Sequence, residues 1–371
     1  MDKQTTIDQL KPYQQGMQTH EVKAKFNLDR IVKLASNENP YGCSPAVKDA
    51  VLSAVNDLEI YPDGYAAALR TAIAEKIGVK EEQLVFGSGS DDLIGLICRT
   101  YLEPGTNTVM AKPTFGQYKQ NALVEGAEIR EIPLTNGYHD LDRMKMAIDH
   151  HTKIVWLCSP NNPSGTVIDK QALYVFINSV PDNIIIVLDE AYYEFMNDGD
   201  KPHLEERLDR YRNVIVMRTF SKAYGLAGLR IGYAICHASN SKKLNAVRPA
   251  FNTSSVAQKA ALAAFKDSAF LEKTVTRNNV VKASFEQFLD GLGWQYEKSQ
   301  TNFMLVHTPV SGDNVFDFLI KKGFIVRSGE VLGCPNTVRI TLGRQEDMLQ
   351  LQACLQQFDQ QLKKERMTSD N

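Results

Sequence analysis

The chain has 371 residues, 43% hydrophobic and 23% charged, with a net charge of −2. This suits a soluble globular protein of two domains and gives no electrostatic footprint for nucleic acid or an anionic membrane. No apolar run nears the ~20 residues of a membrane span, the N-terminus lacks a signal-peptide core, and six scattered cysteines and seven histidines without ligand spacing predict a cytoplasmic protein with reduced thiols and no metal site.

Residues 1–35 are polar and broken by Pro12 and Gly16, and read as an arm with a short helix. Ser36-Asn-Glu-Asn-Pro-Tyr-Gly42 follows, a turn-rich loop that either offers Asn37, Glu38 and Asn39 to a ligand or is a plain Asn-Pro turn. Helical periodicity over 45–56 and 66–77 brackets Tyr61-Pro-Asp-Gly-Tyr65, a strong turn signal. Its tyrosines are either core anchors or exposed hydroxyls.

Leu84-Val-Phe86 reads as a strand that runs into Gly87-Ser-Gly-Ser-Asp-Asp92 and then an amphipathic helix. A strand, a glycine turn and a helix N-terminus together suit an anion. The two aspartates must then point away and lend their amides; the plain alternative is Ser90 as a helix cap. The strand Thr108–Ala111 ends at Lys112-Pro-Thr-Phe-Gly-Gln-Tyr118. Phe115 there either stacks on a flat ring or caps the core.

Lys153–Cys158 is a buried strand that opens into Ser159-Pro-Asn-Asn-Pro-Ser-Gly165, where Asn161 and Asn162 are offered as amides, and a helix over 169–179 follows. Ile184–Leu188, the most apolar strand, terminates in Asp189-Glu-Ala-Tyr-Tyr193. A carboxylate there needs a cation or hydrogen bonds, unless it is only a cap. Lys222 sits in a turn between the apolar strands Val214–Met217 and Ile231–Ile235. Burial lowers a lysine's pKa, and the neutral amine is what forms a Schiff base with a carbonyl. The bland alternative is a lysine that snorkels to the surface.

Strand–helix alternation over 80–235 predicts an α/β fold with a largely parallel sheet, whose ligands bind beyond the carboxyl ends of the strands. Residues 255–290 predict a long connecting helix. Strands at 303–306, 324–326 and 337–342 with helices at 313–322 and 345–363 predict a smaller α+β domain. Arg327 and Arg339 there suit bidentate capture of a carboxylate or phosphate, or are ordinary surface arginines. The expected division is an arm and substrate loop over 1–40, a large domain over 41–255, a small domain over 256–364 and a polar tail over 365–371.

A phosphate cradle, a stacking aromatic, an Asn, an Asp and a Schiff-base lysine are the parts that hold pyridoxal 5'-phosphate. Asp189 would pair with the ring nitrogen and Asn162 and Tyr192 with the phenolic oxygen. Lys222 would carry the aldehyde and then move the α-proton, while Ser221 and Arg230 would bind the phosphate.

Ser159–Gly165, Asp189–Tyr192 and Ser221-Lys-x-x-Gly-Leu-Ala-Gly-Leu-Arg-x-Gly232 resemble fold-type I aminotransferases. Ser36–Gly42, Tyr61–Asp63 and Arg339-x-Thr-x-Gly343 are most similar to the histidinol-phosphate aminotransferases among them. The resemblance covers nearly the whole chain. It implies backbone amides of Ser90 and Asp91 at the cofactor phosphate, Phe115 where tyrosine is common, and Tyr61 reaching the neighbouring site of a homodimer. It further implies Arg339 on the glutamate α-carboxylate, Arg327 and Arg339 near the phosphate of histidinol phosphate, and Asn37 near the imidazole. The implied reaction is histidinol phosphate plus 2-oxoglutarate giving imidazole-acetol phosphate plus glutamate, in histidine biosynthesis. Alternatives are an aromatic amino-acid aminotransferase, a threonine-phosphate decarboxylase, a non-catalytic pyridoxal-phosphate-binding regulator, for which residues 1–35 are too short and not basic enough, and a scaffold with a structural Lys222.

Overall fold

The computed structural model describes Asp8, Leu10 and residues 17–369. The rest of the N-terminal arm, with Pro12 and Gly16, and residues 370–371 of the tail lie outside the described residues. The strands are β1 (Val32–Lys33), β2 (Leu84–Gly87), β3 (Asn107–Lys112), β4 (Glu128–Pro133), β5 (Thr152–Cys158) and β6 (Ile185–Asp189). They continue with β7 (Val214–Thr219), β8 (Gly232–Cys236), β9 (Phe303–His307), β10 (Phe324–Ile325), β11 (Arg327–Ser328) and β12 (Thr337–Thr341).

Seven strands form one sheet in the order β2-β8-β7-β6-β5-β3-β4. Only β8 runs antiparallel to its neighbours; from β7 across to β4 every pairing is parallel. The mixed α/β sheet expected from the sequence is therefore present, mostly parallel. Its central strands are apolar throughout because helices cover both faces. Successive residues alternate between two cores: Ile186 and Leu188 of β6 pack on one side, Ile185 and Val187 on the other. By the same two-residue period, Asp189 falls on the face of Val187.

The small unit is a three-stranded antiparallel sheet, β11-β12-β9, packed on helices 268–292, 312–320 and 345–369. The N-terminal segment joins it. β1 pairs in parallel with β10, and Leu34 is buried in the same core. The expected connector is two helices, 255–266 and 268–292. They part at Asp267, whose carboxylate accepts the Phe270 N–H (3.0 Å) as the cap of the second. The last helix continues to Ser369, so the described part of the expected polar tail is helical. Among the described residues no helix is long and apolar enough to cross a membrane.

Arg218, at the end of β7, is 3% exposed. Its guanidinium donates to Glu190 (2.8 Å) and Glu205 (2.9 Å) and lies 3.6 Å from the centroid of the Tyr193 ring. Burial works against its charge, and the two carboxylates more than offset that. The trio ties the strand carrying the Lys222 turn to the residue after Asp189. Removing the cation would leave two buried carboxylates facing each other. Arg218→Ala is therefore expected to destabilise the protein by about 3–5 kcal/mol, read as a lower midpoint in chemical denaturation.

Candidate active site

The groups expected to converge come from five strand ends and the small sheet. Lys222 occupies the turn after β7. Its Nζ donates to the Ser36 carbonyl (3.2 Å) and lies 5.7 Å from the centroid of the Tyr192 ring. Burial, then the positive charge of Arg339, pushes the amine down to about 8, against the pull of Asp91 and Glu38. Lys222 is only partly buried, with its amine turned to the Ser36 carbonyl.

Asp189 is the last residue of β6 and is 2% exposed. Oδ2 accepts the Tyr118 hydroxyl (2.6 Å) and Oδ1 the Ala191 N–H (3.1 Å). No ion pair reaches it among the described residues. Burial raises its carboxyl to about 6, although both donors act in the other direction. A buried carboxylate with donors but no cation is a site shaped for a cationic partner.

Tyr192 is buried. Its hydroxyl accepts from Asn37 Nδ2 (2.9 Å), and burial holds the phenol well above its usual range. Asn37 is fixed in turn, because its backbone N–H donates to Thr341 Oγ1 (3.0 Å) and Thr341 Oγ1 donates to its Oδ1 (3.0 Å). Arg339 is buried on β12. It donates to Asn162 Oδ1 (2.6 Å) and the Ala35 carbonyl (2.6 Å) over the Phe303 ring. Arg327 and Arg339 are direct cross-strand partners, which puts the two arginines on one face of the small sheet.

The glycine turn leads directly into a helix N-terminus. The helix starts at Ser90, and its cap is Gly89 at φ 86° with no side-chain bond, so Ser90 is not the cap. A Cβ at Gly89 would collide with the Arg230 guanidinium, so only glycine leaves that space open. Arg230 donates to Ser221 Oγ (3.2 Å). The aspartates behave differently from the expectation. Asp92 folds back to accept from Ser88 N–H and Asn252 Nδ2, both at 2.8 Å. Asp91 does not point away; it approaches Arg230 at 3.4 Å. A free carboxylate beside an exposed guanidinium turns to it for want of another counter-charge.

Phe115 is half-buried and meets Tyr118 edge-on, centroids 5.7 Å apart. Tyr61 stands outside this cluster. It is 79% exposed and stacks on Phe251 at 4.9 Å. Sequence reasoning missed Tyr118, Thr341 and Asn302, which donates to the Asn37 carbonyl (3.0 Å). A cavity of about 580 Å³ lined by Lys76, Glu194, Arg218 and Tyr224 holds none of the converging groups.

The family model for aminotransferase class I and II matches residues 29–353. The chain is 52% identical over 358 residues to histidinol-phosphate aminotransferase 2 of Oceanobacillus iheyensis, covering 96% of this chain and 98% of that one. It is 51% identical to the histidinol-phosphate aminotransferase of Anoxybacillus flavithermus, covering 92% of each chain. The crystal structure of the histidinol-phosphate aminotransferase from Sinorhizobium meliloti in complex with pyridoxal-5'-phosphate superposes with a TM-score of 0.88. Its sequence identity is 26%, and the match covers 96% of this chain and 97% of that one.

The depressed Lys222 is open to measurement. In the ligand-free protein an amine-reactive reagent should label it with a midpoint near pH 8, whereas exposed lysines titrate near ~10.4. Peptide mass spectrometry separates the two. In Arg339→Met the midpoint should move up, because a cation that opposes the ammonium is gone.

Proposed function

The chain belongs to the histidinol-phosphate aminotransferases, within the class I and II aminotransferases, and from that premise we propose that it moves the amino group of L-histidinol phosphate to 2-oxoglutarate. The products are imidazole-acetol phosphate and L-glutamate, the cofactor is pyridoxal phosphate, and the place is histidine biosynthesis in the cytoplasm. Identity of about one half over more than nine-tenths of the chain carries this reading.

The residues fit the cofactor. When bound, pyridoxal phosphate supplies a carbonyl for the amino group and a cationic ring that takes up electrons from Cα. Asp189, ionised and without a cation of its own, would hold the ring N–H. Arg230, Ser221 Oγ and the amides of Ser90 and Asp91 would hold the phosphate above Gly89. Phe115 would cover a ring face. Asn162 and the protonated Tyr192 hydroxyl would donate to the ring oxygen.

Lys222 would anchor the carbonyl carbon. Once released, its Nζ would take the α-proton and return it, a task suited to an amine near 8. Arg339 would bind the α-carboxylate of glutamate, and with Arg327 the phosphate of histidinol phosphate. Asn37 would hold Tyr192 where the imidazole enters.

A homodimer is part of the proposal. Tyr61 lies among exposed apolar side chains, including Leu52, Leu58, Ile60 and Tyr65, a patch suited to a second copy. From there Tyr61 would reach the phosphate of the neighbouring site.

Three experiments test this. Titration with L-histidinol phosphate should bleach the visible absorbance of the bound cofactor at lower concentrations than phenylalanine, tyrosine or threonine phosphate do; preference for an aromatic amino acid would overturn the substrate assignment. Lys222→Ala should abolish turnover in a folded protein, and Arg339→Ala should weaken glutamate more than it weakens the cofactor. Mixing Lys222→Ala with Tyr61→Ala subunits should restore activity that neither has alone, because one hybrid site is intact; no gain on mixing would argue against shared sites.

A further inference from the structure

Among the described residues Asp189 has two hydrogen-bond donors and no ion-pair partner, so whatever orients those donors sets its charge and direction. One donor is the Ala191 backbone, which no side chain can change. The other is Tyr118. Its ring is fully buried, stacked on Trp156 with centroids 4.7 Å apart and planes within 11°, and it meets the Phe115 ring nearly perpendicularly, centroids 5.7 Å apart. The ring therefore cannot swing away, and the hydroxyl points at Asp189 Oδ2 from 2.6 Å. Burial and the carboxylate itself hold this phenol well above its usual pKa. It donates at every working pH.

Resting on the function proposed above, we propose that Tyr118 is a positioning residue that keeps Asp189 ionised and aimed at the cofactor ring nitrogen. The remaining groups facing Asp189 cannot substitute. Cys158, its partner in the sheet register, is a buried thiol raised to about 12. The Tyr192 hydroxyl is engaged by Asn37 Nδ2, Asp91 disfavours the charge, and Lys222 favours it only as a charge without a hydrogen bond. Without the phenol the carboxyl keeps one donor, turns more freely and protonates at higher pH. Phe115 joins the same stack, so the ring that would cover the cofactor also braces the phenol behind it.

The test uses the full-length protein and pyridoxal phosphate. Its affinity is measured by fluorescence titration on both sides of neutrality for wild type, Tyr118→Phe and Asp189→Asn. Tyr118→Phe keeps the aromatic stack and deletes one hydroxyl. Affinity at neutral pH should fall roughly ten- to hundred-fold, and the acid limb of the affinity profile should move up by on the order of one pH unit. The cofactor's own titrations are common to all three proteins and cancel. Weaker binding with the acid limb unmoved would make Tyr118 a packing residue and overturn the proposal, as would an unchanged profile. Wild-type protein that takes up no cofactor, or Asp189→Asn that binds like wild type, would overturn the underlying cofactor assignment instead.

Discussion

The site depends on desolvation at the end of β6. Five apolar residues carry the chain into the centre of a sheet covered on both faces, and the next residue is a carboxylate. Leaving it there costs free energy unless something compensates. The protein compensates only partly, with two hydrogen bonds. Lys222 stands under the opposite version of the same constraint. Dryness raises Asp189 to about 6 and lowers Lys222 to about 8. The two do not form an ion pair among the described residues, which would have relieved both. Keeping them apart preserves an acid site that needs a cation and an amine that can lose its proton near neutrality.

The parallel sheet makes this arrangement inexpensive to build. Each central strand needs only a continuous apolar run to serve both cores, and its C-terminal end delivers one polar group to the same edge. The small unit then closes over that edge with specific bonds. Arg339 spans to Asn162 and Ala35, and Thr341 fixes Asn37 against Tyr192. The groups proposed for substrate and for cofactor are thus neighbours through hydrogen bonds, although they stand far apart in the chain.

Much of this was legible because strand ends can be read from hydropathy alone. Lys222, Asp189, Asn162 and Arg339 each stand beside a strong apolar run. Tyr118 was not legible, since its importance depends on where a helix's first turn points relative to a strand about seventy residues away. The aspartates of the glycine turn were misread in part. An argument from repulsion with a phosphate says nothing of a nearby arginine, and Arg230 takes Asp91. β4 escaped notice because it is an edge strand whose Glu128, Arg130 and Glu131 break the apolar pattern. Such charges on an edge discourage pairing with another chain. Arg218 stands three residues before the Ser221–Gly232 motif and still went unremarked, because a buried arginine explains itself only through Glu190 and Glu205.

The arginine pair on the small sheet completes the electrostatics. Arg327 and Arg339 face the same side from directly opposed positions, and like charges so placed repel. An anion bound between them, as proposed, would offset part of that repulsion. The effect extends to the lysine. Arg339 is the largest charge acting against the Lys222 ammonium, and an anion bound at Arg339 screens it. Lys222 then holds a proton more readily when the substrate side is filled than when it is empty. In the proposed role, a Lys222 base that gains proton affinity as the substrate's anion arrives would be matched to taking a proton from that substrate and less suited to taking one from solvent beforehand.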